Sequence, residues 1–174
     1  MPLPLFALPL RSCLLSHLAV VRFVGKVVVR QLNDAGVNVV EINLREHESS
    51  ASLHHRLAAA NCTCLVHLAG PLPSGEPEQQ EEIEEVTIEL AERCIQAVLQ
   101  LPHECSFVMT STVRVYPLSA GTFNFDIEPA PFDGYGKGKL RAEELAKSMA
   151  SPDHPVTVLR VSSVCGLCET QEGL

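Results

Sequence analysis

Positive charge is what this sequence is shortest of. Thirteen lysines and arginines stand against twenty-one aspartates and glutamates, a formal net charge of −8, which excludes a nucleic-acid backbone as the main partner. A long uninterrupted apolar run is missing as well. Residues 1–21 are apolar but broken by Pro2, Pro4 and Pro9; an interior proline costs a helix about 3 kcal/mol, so no membrane span is expected. Their single cation, Arg11, lies inside the apolar run instead of before it, which argues against a secretory signal. No acidic residue precedes Asp34, whereas Arg11, Arg22, Lys26 and Arg30 do, so the front of the chain differs in character from the rest. Repeats and low-complexity tracts are absent. So is a paired set of cysteines: the seven are scattered through apolar or amphipathic segments. They read as buried free thiols of a reducing, cytoplasmic compartment, not a disulfide framework. Cys165 and Cys168 form a CxxC, but without the second ligand pair that a zinc site needs no metal is expected.

What is present suits a folded domain. The chain has 174 residues, 46% of them hydrophobic, enough for one sizeable core. Helices are predicted over residues 23–35, stopped by Gly36, then 49–60, 81–101 and 134–150. Between them, VNVVEINL at 37–44, CLVHLA at 64–69, SFVMT at 106–110 and VTVLRV at 156–161 read as strands. CLVHLA is apolar on both faces, as in the interior of a parallel sheet. Alternating strands and helices predict parallel α/β architecture with right-handed crossovers.

In an open parallel sheet, ligands bind beyond the carboxyl ends of the strands. Gly70, the run Thr110-Ser111-Thr112 and the pair Ser162-Ser163 fall at such ends. Tyr135 and Lys139 lie four apart and so share one helical face. A neighbouring ammonium is expected to draw the phenol toward neutrality, as a general acid/base at pH 7 requires. Thr112 could hold the substrate oxygen whose charge changes. Gly134, Gly136 and Gly138 each cost a helix about 1 kcal/mol, which points to close approach of a ligand or of another chain segment.

Together, HLAG at 67–70, FVMTSTVRVYP at 107–117, GYGKGKLRAEEL at 134–145 and LRVSSVCG at 159–166 resemble the extended short-chain dehydrogenase/reductases. These comprise epimerases, dehydratases and 3β-hydroxysteroid dehydrogenase-like enzymes. FVGKVVVRQLNDAG at 23–36 is similar to the end of their glycine-rich loop and the helix after it. The resemblance implies a Rossmann-like doubly wound parallel sheet that binds NAD or NADP. It implies Tyr135 as acid/base, Lys139 as the group that lowers its pKa and holds the nicotinamide ribose, and Thr112, with Ser111 next, as the residue positioning a substrate hydroxyl or carbonyl. Leu68, Ala69, Gly70, Thr110, Ser111 and Val161, Ser162, Ser163 would line the cofactor, with Gly25 in the phosphate loop. The substrate would be a small hydroxyl or carbonyl compound, sugar-nucleotide or steroid-like, and the assembly a homodimer.

The sequence departs from that pattern at named positions. Counting back from Gly25, the two earlier glycine positions hold Arg22 and Ala19, and Asn43 stands where an acidic residue is expected near the adenosine. Residues 1–22 therefore read as an atypical leader replacing the first strand and glycine loop, with Leu18–Val21 imitating that strand. Residues 23–174 read as a partial, incomplete nucleotide-binding domain, and a C-terminal substrate domain is expected to be absent. Two functions stay open: an NAD(P)-dependent oxidoreductase or epimerase, and a catalytically defective truncated member acting through protein–protein contacts.

Overall fold

The computed structural model describes residues 13–17, 22–44, 48–119, 121, 126–162 and 164. Five strands form one sheet: β1 (Cys13–His17), β2 (Val39–Asn43), β3 (Cys64–His67), β4 (Ser106–Thr112) and β5 (Val156–Val161). Their order is β2-β1-β3-β4-β5 and every pairing is parallel. The chain runs one way from β1 to β2 and the other way from β3 through β5, so the sheet is doubly wound and switches direction beside β1. Four helices make the crossovers: α1 (Arg22–Asp34), α2 (Ser50–Ala59), α3 (Gln80–Leu99) and α4 (Gly134–Met149). Helices α2, α3 and α4 pack side by side, while α1 contacts β1 and β2. Right-handed crossovers put α1 on the face opposite the other three.

The first strand corrects the reading of the leader. Cys13–His17 pairs with β2 on one side and β3 on the other, so strand formation starts five residues earlier than Leu18–Val21, which lie outside the described residues. An interior parallel strand needs only a short apolar run, and CLLSH embedded in an apolar stretch carries no boundary of its own. The pairing of β2 directly with β1 also places residues 39–43 in the second-strand position of the doubly wound order, with Asn43 at its carboxyl end.

The helices stop and start where local chemistry dictates. Gly36 takes φ +77 after α1, and the amides of Gly36 and Val37 return to the carbonyls of Asn33 and Leu32, closing the helix as predicted. Ser49 caps α2 by accepting from the Ser52 amide at 3.2 Å. Beneath α3 and α4, Leu65, Phe107 and Met109 of the sheet meet Leu90, Cys94, Ala142 and Ala146 in one core. Along β4 the buried positions alternate, with Phe107, Met109 and Ser111 turned to these helices.

The three glycines of α4 answer the alternative left open by the sequence. A Cβ at Gly134 would strike the Gln80 carbonyl, one at Gly136 would come to 2.5 Å from the Arg114 carbonyl, and one at Gly138 to 2.9 Å from that of Glu84. The close approach is that of another chain segment, chiefly α3. Glycine here lets two helices cross at backbone contact, and that contact fixes the face of α4 turned to the strand ends.

Candidate active site

A cleft of about 280 Å³ opens at the carboxyl ends of β3, β4 and β5, beside the first turn of α1. Seven of the residues singled out from the sequence line it: Leu68, Gly70, Thr110, Ser111, Tyr135, Lys139 and Val161. The structure adds Val24, Pro71, Leu72 and Val164. These apolar walls carry no motif of their own, so periodicity reads them as helix or loop residues.

The remaining predicted residues lie elsewhere. Ala69 is buried in the core between two lining residues. Gly25 is buried in the first turn of α1, next to Val24. Asn43 is exposed at the end of β2, and Ser162 is exposed after β5, both away from the cleft lining. Ser163, Cys165 and Cys168 lie outside the described residues. Thr112 is not among the lining residues; its Oγ1 accepts from the Arg114 amide at 3.2 Å and caps the turn 113–115. Among the described residues, no three metal-ligating side chains cluster, and no helix is long and apolar enough to cross a membrane.

Helix α4 aims the reactive pair. Asp133 accepts from the Gly136 amide at 2.7 Å to begin the helix, and its carboxylate also takes the Arg114 guanidinium, Nε at 2.8 Å. One turn separates Tyr135 from Lys139. Lys139 is 3% exposed, and its Nζ donates to the Thr110 carbonyl at 3.0 Å and stands 5.8 Å from the Tyr135 ring centroid. Burial lowers the Lys139 pKa to about 8, against an opposing pull from the Glu143 carboxylate.

Tyr135 runs against expectation: its phenol is raised above its ordinary value, first by burial and also by the Asp133 carboxylate, with Arg114 pulling the other way. The physical reason is burial. The ammonium lies 5.8 Å from the ring centroid and donates to the Thr110 carbonyl, and desolvation outweighs the charges around the phenol. In this state Tyr135 is a neutral acid.

Below the cleft runs a network that motif reading missed. Glu143, 0% exposed, accepts from Ser111 Oγ at 2.5 Å and from Arg160 Nε at 2.9 Å and Nη2 at 2.7 Å. Lys147 Nζ adds a fourth contact at 3.2 Å. Arg160 also donates to the Tyr116 hydroxyl at 2.8 Å and lies 4.9 Å over its ring. Burial alone would raise Glu143, but the Arg160, Ser111 and Lys147 hydrogen bonds hold its pKa below the ordinary carboxylate value. The signal in the sequence is spacing: Tyr135, Lys139 and Glu143 follow at steps of four on one face. His67, also buried, stacks on Phe107 and lies 3.5 Å from the Cys94 sulfur; burial, then Lys139, lowers it to about 3, so it is neutral.

Comparison with known proteins agrees with this architecture. The family model described as the NAD dependent epimerase/dehydratase family matches residues 20–173. No curated protein matches the chain. Among solved structures, MoeE5 in complex with UDP-glucose and NAD is 28% identical with a TM-score of 0.68, over 84% of this chain and 52% of that one. UDP-glucuronic acid 4-epimerase from Bacillus cereus, in complex with UDP-glucuronic acid and NAD, is 19% identical with a TM-score of 0.68, over 86% and 55%. A UDP-glucose 4-epimerase structure reaches 0.73 at 19% identity, over 86% and 50%. These last two show the fold alone. The chain spans about half the length of the structures it matches.

Proposed function

The chain belongs to the NAD dependent epimerase/dehydratase family, and from that premise we propose that it binds a nicotinamide dinucleotide at the strand ends and acts on a hydroxyl or carbonyl group of a sugar nucleotide. The observation that carries this reading is the convergence of Tyr135, Lys139 and Ser111 in one cleft at the carboxyl edge of a doubly wound sheet. The likeness to MoeE5, a protein in complex with UDP-glucose and NAD, supports the sugar-nucleotide class over a steroid-like alcohol.

The cleft fits the cofactor at its reactive end. A Cβ at Gly70 would come to 3.5 Å from Lys139 Nζ, so the bare glycine keeps the cleft open. Val24, Leu68 and Val161 offer apolar walls for a planar ring. The first turn of α1 carries no acidic residue, and its amides suit a pyrophosphate. The chemistry supplied by the bound dinucleotide is hydride acceptance or donation. Tyr135, held neutral by burial, gives its proton to a substrate carbonyl oxygen, or takes one from a hydroxyl once ionised. Lys139 supplies the positive charge that balances the phenolate.

Calorimetry with NAD+ and NADP+ tests the reading, followed by NADH absorbance with UDP-glucose and UDP-glucuronic acid. Tyr135→Phe is expected to retain dinucleotide binding and to lose turnover by about 10²-fold or more. Absence of heat with both dinucleotides would sink the proposal. Binding without turnover in the wild type would favour the second reading, a defective member, for which the departures at the glycine positions, Arg22 and Ala19, speak.

A further inference from the structure

The helix that carries Tyr135 begins with few side chains to hold it. Glycines occupy positions 134, 136 and 138, and each weakens the helix. Its anchorage comes from outside. The Gly134 amide donates to Gln80 Oε1 of α3 at 2.8 Å, and Asp133 Oδ1 accepts from the Gly136 amide at 2.7 Å. The other carboxylate oxygen of Asp133 takes the Arg114 guanidinium, Nε at 2.8 Å and Nη2 as well. Arg114 is itself held at both ends: Thr112 Oγ1 accepts from its amide, and its guanidinium lies 5.0 Å from the Phe132 ring centroid. One carboxylate therefore joins the turn after β4 to the start of α4, two residues before Tyr135. The Asp133 side chain is 10% exposed, so water competes weakly for the bond. Both charges reach the Tyr135 phenol, Arg114 favouring the phenolate and Asp133 opposing it. The other charged groups nearby are occupied or distant from it. Lys137 is exposed, Lys139 donates to the Thr110 carbonyl, Arg160 of β5 is taken by Glu143, and α3 brings the Glu84 backbone to Gly138.

We propose that the Arg114–Asp133 pair is a latch that positions Tyr135 for proton transfer, holding the first turn of α4 to the turn after β4 and setting one charge of each sign beside the phenol. Arg114 and Asp133 are positioning residues: neither lines the cleft, and both act through Tyr135. The inference rests on the acid/base role proposed above for Tyr135 and deepens it. While the latch is closed its two charges largely cancel at the phenol. Opening it from either side leaves a single charge there, of opposite sign in the two cases.

The chain has two tyrosines, Tyr116 and Tyr135. NMR of protein labelled at the tyrosine ring carbon bearing the hydroxyl therefore gives two lines, assigned with Tyr135→Phe, and follows each ionisation from pH 7 to 11. Asp133→Asn keeps a capping side chain but leaves Arg114 unopposed, so the phenolate fraction of Tyr135 at pH 10 should rise about three- to tenfold. Arg114→Met leaves Asp133 unopposed and should lower that fraction by a similar factor. The double variant should return toward the wild type, and Tyr116, whose hydroxyl accepts from Arg160, should titrate alike in all of them. A loosened helix would instead expose the Tyr135 ring and raise its phenolate fraction in both single variants, so opposite shifts separate positioning from stability. Shifts of one sign in the two variants, or none, overturn the inference. If Arg114→Met does not fold, Asp133→Asn carries the test: its gain must shrink in 1 M NaCl, where charges are screened within about 3 Å, and a gain indifferent to salt overturns the latch. Calorimetry on the same wild-type sample keeps the two readings apart. No heat with NAD+ or NADP+ overturns the proposed function and the purpose of the latch with it, whereas heat together with absent or same-sign shifts overturns this inference alone.

Discussion

Burial is the term that decides the behaviour of the ionisable groups around the cleft. Tyr135, Lys139 and His67 are all displaced toward their neutral forms with desolvation first among the causes. Glu143 resists because three side chains hydrogen-bond to its charge. These shifts carry a sign in stability. Folded His67 titrates at about 3 against an ordinary 6.5, so between those values the unfolded chain binds a proton that the folded chain does not. Stability therefore falls as pH drops through 6.5, by up to about 1.4 kcal/mol per pH unit. Glu143, whose folded pKa is depressed, adds loss in the same direction once pH falls below its ordinary 4.5. Thermal midpoints between pH 4.5 and 6.5 isolate the histidine: His67→Gln should flatten the slope there, and an unchanged slope would refute its buried neutral state. The Tyr135–Lys139 spacing was legible from residue identity alone, whereas the raised phenol was not, because it depends on how deeply the fold buries the ring.

Helix α4 shows how an apparent defect of sequence becomes a packing device. Glycines 134, 136 and 138 lower its intrinsic propensity, yet each sits where a neighbouring backbone leaves no room for a methyl group. Gly138→Ala would gain up to about 1 kcal/mol of helix propensity and lose more to overpacking against Glu84 and Thr87, which typically costs about 1–3 kcal/mol. The expected net result is a lower thermal midpoint by circular dichroism, larger still for Gly134→Ala. Gly75, with nothing within 4 Å of an added Cβ, serves as the control: Gly75→Ala should leave the midpoint unchanged or slightly raised. A neutral Gly138→Ala would mean that α3 and α4 are not in backbone contact. The sequence showed that something approaches α4 closely, and only the crossing with α3 identified it.

Across the molecule, one buried ion pair ties the site to the sheet: Glu143 on α4 and Arg160 on β5. Removing one partner strands a buried charge, so Arg160→Met should cost about 3–5 kcal/mol, while Glu143→Leu with Arg160→Met should recover most of it. Urea denaturation of the two variants checks this, and equal losses would show that the pair contributes packing alone. Dinucleotide binding acts on the whole fold in the opposite sense. At one hundred times its dissociation constant it should add about 2.7 kcal/mol of stability, visible as a raised midpoint with NAD+ or NADP+ and none with an equal concentration of glucose.

Strand and helix alternation, the stop at Gly36 and the order of the four motifs are written in local composition and spacing, since they depend on residues near one another in the chain. From them the parallel α/β class and most of the cleft lining follow. What only the tertiary structure decided are matters of direction across distant segments. Cys13–His17 became an interior strand because β2 and β3 flank it. Thr112 became the cap of the turn after β4, its Oγ1 accepting from the Arg114 amide. Ser111 is tied to α4 because Glu143, thirty-two positions away, takes its proton. A one-residue step along a strand reverses the face a side chain presents, and hydrogen-bond polarity is set by whichever partner the fold brings near. Neither is encoded in a motif.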